Sequence, residues 1–314
     1  MLQRLSFIPL RIAQAVPVVF GVTLVVFFLV RLLPGGPAVA LLGEHATPEA
    51  VAAMNHQYGL DGPVWVQYLD FLRNVVTGNL GTSLFYQQPV SQLVEVALPA
   101  TVQLVLYAIV LTTVISVTLA ALAASRPGRW PDHAVRVVPM VGLGMPQFWV
   151  GIILLLLLAS RLHLFPVGGY GDDVVENLWY LFLPAVTVAI SMSPIVIRSL
   201  RTAMISVLNS DYVDTARSKG TPPLHLFGRH VLRNAAVPTV TVLGVNVGYL
   251  IGGTIVVEKV FALPGLGDYM VTAIFNRDFP TVQGITLVIA LMVVVISVVT
   301  DVVYALLDPR VNIR

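Results

Sequence analysis

The chemistry that stands out in this chain is charge, gathered in residues 211–220, which read DYVDTARSKG. Asp211 and Asp214 come first, and Arg217 and Lys219 follow. In a helix this order places the acids near the positive end of the helix dipole and the bases near its negative end, which stabilises the helix. The pattern therefore predicts a short helix with an exposed, charged surface.

The neighbouring residues can supply both ends of this helix. Asn209 and Ser210 are residue types that cap a helix N-terminus. Gly220 is the residue type that most often ends a helix, because glycine adopts the left-handed conformation without steric cost. The helix is therefore expected over 211–219, with a tight turn at the glycine.

A second helix is predicted directly after the glycine. Thr221 can cap this helix, and Pro222 suits its first position. One side is expected to be apolar and another basic. The apolar side comprises Leu224, Phe227, Gly228 and Val231, and the basic residues are Arg229, His230 and Arg233. Segment 209–235 is thus predicted to be a helix, a glycine turn and a helix on the membrane surface, and an anchor for anionic lipid is the alternative.

The lysines exclude an ATP-binding loop of the common type. That loop, G-x-x-x-x-G-K-[ST], requires a glycine directly before the lysine. Only two lysines are present, Lys219 and Lys259, and they follow Ser218 and Glu258. The motifs H-E-x-x-H and G-x-S-x-G are absent, and the chain has no cysteine. We therefore expect neither an enzyme nor a metal or cofactor site.

The rest of the chain is strongly apolar, with 57% hydrophobic and 11% charged residues and a mean hydropathy of +0.86. A helix needs about 20 apolar residues to cross a bilayer, and six runs of this kind occur. They are Ile12–Val30, Pro99–Ala124, Val137–Ser160, Trp179–Ile197, Ala236–Val257 and Gln283–Leu307. The alternation typical of membrane β-strands is missing. The predicted fold class is an all-α membrane protein with six transmembrane helices.

Charge asymmetry predicts how these helices are oriented. Most of the 18 basic residues fall in the two termini and in segments 125–136 and 198–235, which six spans place on one side. Because basic residues favour the cytoplasm, both termini and the charged segment are expected there. This bias also accounts for the net charge of +2 without a nucleic-acid partner.

The first extracytoplasmic segment, about 34–98, is long enough to have structure of its own. Thr47 followed by Pro48 predicts one helix start, and a second helix is expected from near Pro63. The second helix would carry an apolar face that either lies at the membrane interface or packs on other helices. That face comprises Trp65, Tyr68, Leu69, Leu72 and Val76. Residues 1–98 are accordingly treated as one domain and residues 99–314 as a five-helix core.

Three glycines in the fifth span, Gly244, Gly248 and Gly252, recur every four residues. This spacing places them on one helical face, where small residues allow another helix to approach closely. Packing within the subunit and an interface with another subunit are both compatible with the pattern.

Several sequence blocks resemble one family, the permease subunits of ABC importers, and in particular its oligopeptide and dipeptide branch. Asp214, Thr215 and Ala216, followed by Gly220, resemble the EAA loop of these permeases, with Asp and Thr in place of the usual Glu and first Ala. Other blocks match in order along the chain. They are RLLPGGP (31–37), ATPEAV (46–51), YGLDGPV (58–64), GNLGTSLFYQQPV (78–90), MPQFWVG (145–151), LPGLGDYMVTAIFNRDFPTVQG (263–284) and DVVYALLDPRV (301–311).

The resemblance implies a type I importer fold and a mechanism. The EAA segment would be a cytoplasmic coupling helix that docks on an ATP-binding subunit. The docking core would be Asp214, Thr215, Ala216 and Gly220, with Tyr212, Arg217, Lys219 and His225 as further contacts. Implied partners are a second homologous permease, two ATP-binding subunits (or one fused chain) that use ATP and Mg, and an extracytoplasmic substrate-binding protein. The implied location is the bacterial inner membrane.

The substrate stays open at this point. Peptides are expected from the branch that the chain resembles, and nickel, haem or a glycoside is the alternative within the family. A secondary carrier is the alternative from another class. Ion-coupled carriers use ionisable groups near the membrane midplane, and only Asp301 falls clearly inside a predicted span.

Overall fold

The computed structural model describes residues 8–32, 38–39, 42–43, 46–57 and 60–307, and these residues are predominantly helical. The first six helices are α1 (Ile8–Arg31), α2 (Pro48–Gln57), α3 (Val64–Val76), α4 (Val90–Ser125), α5 (Trp130–Gly144) and α6 (Gln147–Arg161). The other six are α7 (Val174–Tyr180), α8 (Phe182–Leu208), α9 (Asp211–Ser218), α10 (Pro223–Val260), α11 (Leu266–Phe275) and α12 (Phe279–Leu307). Within the described residues, β-pairing is limited to one bridge between Thr82 and Pro89. The predicted all-α class is confirmed.

Four of these helices are long and apolar enough to cross a membrane, namely α4, α8, α10 and α12. The pair α5 and α6 supplies a fifth crossing if it is counted as one span. Helix α1 has 24 residues, but its apolar segment among the described residues, Ala13–Phe28, is shorter than the other spans. By length and composition the structure therefore supports four to five of the six predicted spans.

The third predicted span, Val137–Ser160, is not one continuous helix. It is divided between α5 and α6, whose axes differ in direction by 102°. The break lies at Met145, which has φ −94° and ψ 135°, directly before Pro146. Because a residue that precedes proline is disfavoured in the α conformation, Met145 is held in an extended conformation and the helix ends there.

The helices extend beyond the apolar runs that predicted them. Helix α4 begins at Val90, so Pro99 lies inside it rather than at its start. Helix α8 continues to Leu208, eleven residues past the predicted end, and carries Arg198 and Arg201. Hydropathy marks the part of a helix that suits lipid, whereas the backbone hydrogen bonds continue into the polar part.

The chain is divided into two compact units, which are described separately. The first unit comprises the described parts of Met1–Arg11, Val102–Leu263 and Val295–Arg314, and the second comprises those of Ile12–Thr101 and Pro264–Val294. In the first unit, α8 is the central helix, with thirteen buried residues. Gly151 of α6 fits against Phe261, since a Cβ added there would lie 3.1 Å from the phenyl ring.

A buried ion pair joins α5 to α8 in the first unit. Asp132 is 1% exposed and accepts hydrogen bonds from Arg201 at both carboxylate oxygens, at 2.5 and 2.6 Å. The same carboxylate accepts the backbone N–H of Gly128 at 2.9 Å. A bidentate arginine gives geometric specificity as well as energy, so this pair fixes the position of α5 on α8.

In the second unit, α3 packs on α1 through aromatic residues. The hydroxyl of Tyr68 lies 2.8 Å from the hydroxyl of Thr23, and its ring meets Phe27 edge-on at 5.1 Å. On the same helix, Trp65 and Leu69 are exposed. The predicted apolar face of α3 is therefore divided, and one half packs on α1 while the other is free to meet lipid.

The second unit also contains a tight loop pinned by one carboxylate. Asp278 is fully buried and accepts hydrogen bonds from the hydroxyls of Ser83 and Thr281, at 2.5 and 2.7 Å. It also accepts the backbone N–H of Leu84 at 3.1 Å. The loop turns through Gly81, whose φ is +86°. One buried carboxylate therefore fixes the conformation of this loop.

This arrangement predicts that Asp278→Asn loosens the loop. The amide keeps one oxygen but turns an NH₂ group towards donors, which leaves buried groups unpaired at a cost of about 1–3 kcal/mol each. We expect a lower melting temperature and faster hydrogen exchange at the Leu84 amide. Asp70→Asn, an exposed change in the same unit, is the control. Equal exchange rates in the two variants would contradict the pinning role.

Candidate coupling surface

The predicted charged helix is present as α9, over Asp211–Ser218, one residue shorter than expected. Ser210 occupies the N-cap position, with φ −89° and ψ 146°. Its hydroxyl does not cap the helix, because it donates to the carbonyl of Val207 at 2.5 Å instead. The position predicted for the cap is therefore confirmed, whereas the side-chain capping bond is wrong.

Gly220 ends α9 in the way that its sequence predicts. Its φ is +76°, in the left-handed region. Its N–H donates to the carbonyl of Arg217 at 2.9 Å, and the N–H of Thr221 donates to that of Ala216 at 3.2 Å. These two bonds form a Schellman motif, which satisfies carbonyl groups at the end of the helix. An L-residue would be strained at this position, so the turn depends on glycine.

The second helix starts one residue later than predicted. Pro223, rather than Pro222, is its first residue, and Pro222 has φ −56° and ψ 141°. Each proline restricts the residue before it to extended conformations, so Pro223 prevents Pro222 from joining the helix. The two prolines thus make a short extended link between the glycine turn and α10.

This second helix is not a separate element, which corrects the prediction. It is the first turn of α10, which runs through Pro223–Val260. Residues Phe227–Leu232 form a wider, π-type turn, and Pro238 lies inside the helix. The extra residue in the wide turn changes which side chains share a face. Leu224 is consequently 88% exposed, whereas Leu226 and Val231 are buried.

The structure places most of the predicted docking residues on the surface. Among them, the exposed residues are Tyr212, Asp214, Thr215, Arg217, Lys219, Gly220 and His225, and Ala216 is half-buried. Asp214 and Arg217 form an exposed ion pair at 3.3 Å. Val213, which lies in α9 between these exposed residues, is completely buried. Helix α9 therefore presents its polar side chains outward and is held by a single apolar one.

Beneath this surface lies a small apolar core that connects three long helices. It contains Ala120 and Ala124 of α4, Leu200 and Met204 of α8, and Val231 and Ala235 of α10, each at most 2% exposed. Helix α9 contacts both α8 and the start of α10. The charged helix is thus packed against the ends of two long helices rather than connected to them by a flexible loop.

Sequence reasoning missed one residue of this surface. The sequence pattern places Leu224 on the packed face of a regular helix, but the residue is exposed next to the glycine turn. Together with Tyr212, which is 47% exposed, it adds apolar area to an otherwise charged surface. Exposed aromatic and aliphatic groups among charges are common in protein interfaces. The wide turn over Phe227–Leu232, which changes the face on which Leu224 lies, has no clear signal in the sequence.

The glycines of α10 do not share one environment. A Cβ at Gly244 would lie 2.2 Å from the side chain of Thr300 on α12, so this glycine permits close packing within the subunit. Gly248 is half-buried. Gly252 is exposed, with open space around it. Gly253, which the spacing did not single out, is the one that packs against Gln147 of α6.

Comparison with solved structures shows the same fold in a transporter. The chain is similar to one in a structure titled "Inward facing conformations of the MetNI methionine ABC transporter", with a TM-score of 0.56 and 16% identity. The match covers 69% of this chain and 97% of that one. At this identity the likeness shows the fold.

Three curated relatives match almost end to end. The di/tripeptide transport system permease protein DppB of Pseudomonas aeruginosa is 36% identical and covers 98% of this chain and 99% of its own. The oligopeptide transport system permease protein AppB of Bacillus subtilis is 35% identical, with the same coverage. The dipeptide transport system permease protein DppB of Alkalihalophilus pseudofirmus is 32% identical, again with 98% and 99% covered.

Two family models account for nearly the whole chain. The model described as "Binding-protein-dependent transport system inner membrane component" matches residues 116–313. Its N-terminal companion matches residues 4–105. The first includes α9, the glycine turn and all of α10. The chain therefore belongs to the family of binding-protein-dependent transport system inner membrane components.

Proposed function

We propose that this chain is the membrane-spanning permease subunit of an ATP-driven ABC importer that takes up di- and oligopeptides. The observation that carries the proposal is α9, a charged helix fixed between two long helices by Val213 and the Gly220 turn. A fixed, exposed helix of this kind suits the transfer of movement from another protein into the spans. The family membership and the fold of a transporter chain support the same function.

Peptides are the best-supported cargo because the relatives that match over nearly their full length are named as peptide permeases. Nickel, haem or glycoside import remains the alternative within the family, and no feature of the described residues favours it. The peptide would be delivered by an extracytoplasmic binding protein.

Energy would enter through the exposed side of α9. We expect Asp214, Thr215, Ala216 and Gly220 to form the core of the contact with an ATP-binding subunit. Around this core, Tyr212, Arg217, Lys219 and His225 would add further contacts. Leu224 joins this group, because it is exposed beside the turn. ATP and Mg would be held by the partner subunits, which fits a chain whose lysines cannot form an ATP-binding loop.

Movement would pass from α9 to the spans through rigid packing. A push on α9 acts on α8 through the short link at Asn209 and Ser210, and on α10 through the prolines after Gly220. The apolar core shared by α4, α8 and α10 would carry the movement onward, since its central side chains are at most 2% exposed. Close-packed interiors transmit displacement in this way.

The complete importer would contain this chain, a second homologous permease, two ATP-binding subunits or one fused chain, and the binding protein. The six-span arrangement counts α1, the bent pair α5–α6 and the four long helices. With 24 residues, α1 is about 36 Å long, which is enough to cross a bilayer. Both termini and α9 would then be cytoplasmic.

The Gly220 turn gives the sharpest test of coupling. Gly220→Pro removes both the left-handed conformation and the N–H that bonds Arg217, and Gly220→Ala strains the turn by about 1–2 kcal/mol. We expect ATP-driven peptide uptake in proteoliposomes to be abolished by the first change and reduced by the second, with the complex still folded. Gly228→Ala is the control, because Gly228 does not have a positive φ and has open space around it. Normal uptake in Gly220→Pro would refute the coupling role.

Asp214 tests the docking contact itself. Asp214→Lys removes an exposed ion pair with Arg217 and a favourable charge near the start of α9, so stability should change by only about 1 kcal/mol. Losing a charged contact in an interface should weaken association with the ATP-binding subunits by roughly tenfold or more. Co-purification measures this association. Asp211→Lys makes the same charge change in the same turn, and equal weakening by both variants would argue against a specific contact at Asp214.

The proposed orientation can be tested by cysteine labelling, since the chain has no native cysteine. Ser91→Cys and Ser218→Cys both place the thiol at an exposed position. A membrane-impermeant maleimide should label the cysteine at 91 in spheroplasts and the cysteine at 218 only in inside-out vesicles. Labelling of both from the same side would overturn the orientation.

A further inference from the structure

A crevice of about 510 Å³ lies between α5 and α8 in the first unit, apart from the coupling surface. Its rim is basic, with Arg136, Arg198 and Arg201 as lining residues. Its walls are apolar and include Val137, Pro139, Met140, Pro194 and Ile197. A cavity that is cationic at the rim and apolar inside matches a ligand with an anionic head and a hydrocarbon tail.

The charges at the rim are not balanced within the chain. Arg201 is neutralised by Asp132, which it holds at 2.5 Å. Arg136 lies 3.8 Å from the same carboxylate and is half exposed. Among the residues that the structure describes, Arg198 has no ion pair, and its side chain is exposed. Asp132 therefore pairs with two of the three guanidinium groups, and the lining of the crevice carries an excess of positive charge.

The surroundings of the crevice also suit a membrane surface. Trp130, at the start of α5, is 77% exposed, and Val138 and Val141 further along are more than half exposed. Tryptophan and arginine are both enriched where a protein meets lipid headgroups. The bend at Pro146 turns α5 away from α6 by 102°, so α5 does not continue the direction of its neighbour.

We propose that this crevice binds one anionic glycerophospholipid, with its phosphate on Arg136 and Arg198 and an acyl chain along Met140, Pro194 and Ile197. A free inorganic phosphate would gain nothing from the apolar walls. A zwitterionic lipid would fill the walls but would bring an ammonium group to a rim that is already positive. An acidic side chain of the second permease would be the competing occupant, and it differs from a lipid in what its loss does to the complex.

The test uses the assembled importer purified in mild detergent. Native mass spectrometry counts bound palmitoyl-oleoyl phosphatidylglycerol during a titration, with phosphatidylcholine of the same chains for comparison. Arg136→Gln and Arg198→Gln should each weaken phosphatidylglycerol binding by about fivefold. Met140→Trp, which fills the crevice without changing charge, should also reduce the bound lipid.

The matched controls are the single variants Arg126→Gln and Arg129→Gln. Each removes the same charge from an exposed position outside the crevice. Equal losses in the controls would show a diffuse surface effect and overturn the site. Equal binding of phosphatidylcholine, or displacement of the lipid by inorganic phosphate, would also overturn it. Loss of the second permease from the Arg198→Gln complex, with lipid binding unchanged, would assign the crevice to the protein partner instead.

Discussion

A single buried side chain and a single left-handed glycine hold the charged helix α9 in place. Val213 is fully buried, while most of the residues around it are exposed. Gly220 directs the chain back towards α10 through two backbone hydrogen bonds. Without these constraints, a polar stretch of ten residues would be a solvated loop, and a push on it would be absorbed by backbone rotation. With them, the stretch is a rigid connection between two long helices, through which the proposed partner could move the rest of the chain.

Much of this arrangement could be predicted from the sequence. The order of charges, the glycine and the apolar runs led to the right helix in the right place, because dipole, capping and hydropathy rules act over a few residues. The sequence could predict that the helix bends at Pro146 and that Pro222 is extended, since a proline restricts the residue before it. The 102° angle was not, because the angle depends on how α5 and α6 pack on the surrounding helices.

The wide turn at Phe227–Leu232 had no clear sequence signal, and it moved Leu224 from a predicted packed position to the surface. The glycines of α10 show the same limit. Regular spacing indicated Gly244, Gly248 and Gly252, yet close approach occurs at Gly244 and Gly253. Which glycine is needed depends on where Thr300 and Gln147 lie, and these partners are distant in sequence.

Hydropathy also did not predict which carboxylates are buried. Asp132, Glu258 and Asp278 are buried, and Asp132 and Asp278 are held by donors from other segments.

In the proposed importer, α9 touches an ATP-binding subunit. The chain lacks cysteine, so a photoreactive maleimide can be attached to Thr215→Cys alone, on the exposed side of α9. In the assembled importer we predict cross-linking to the ATP-binding subunit, with a yield that changes when ATP is added. The same probe at Ser91→Cys should give no such product. If the probe at position 215 fails to reach that subunit in an importer that transports normally, α9 is not the coupling element.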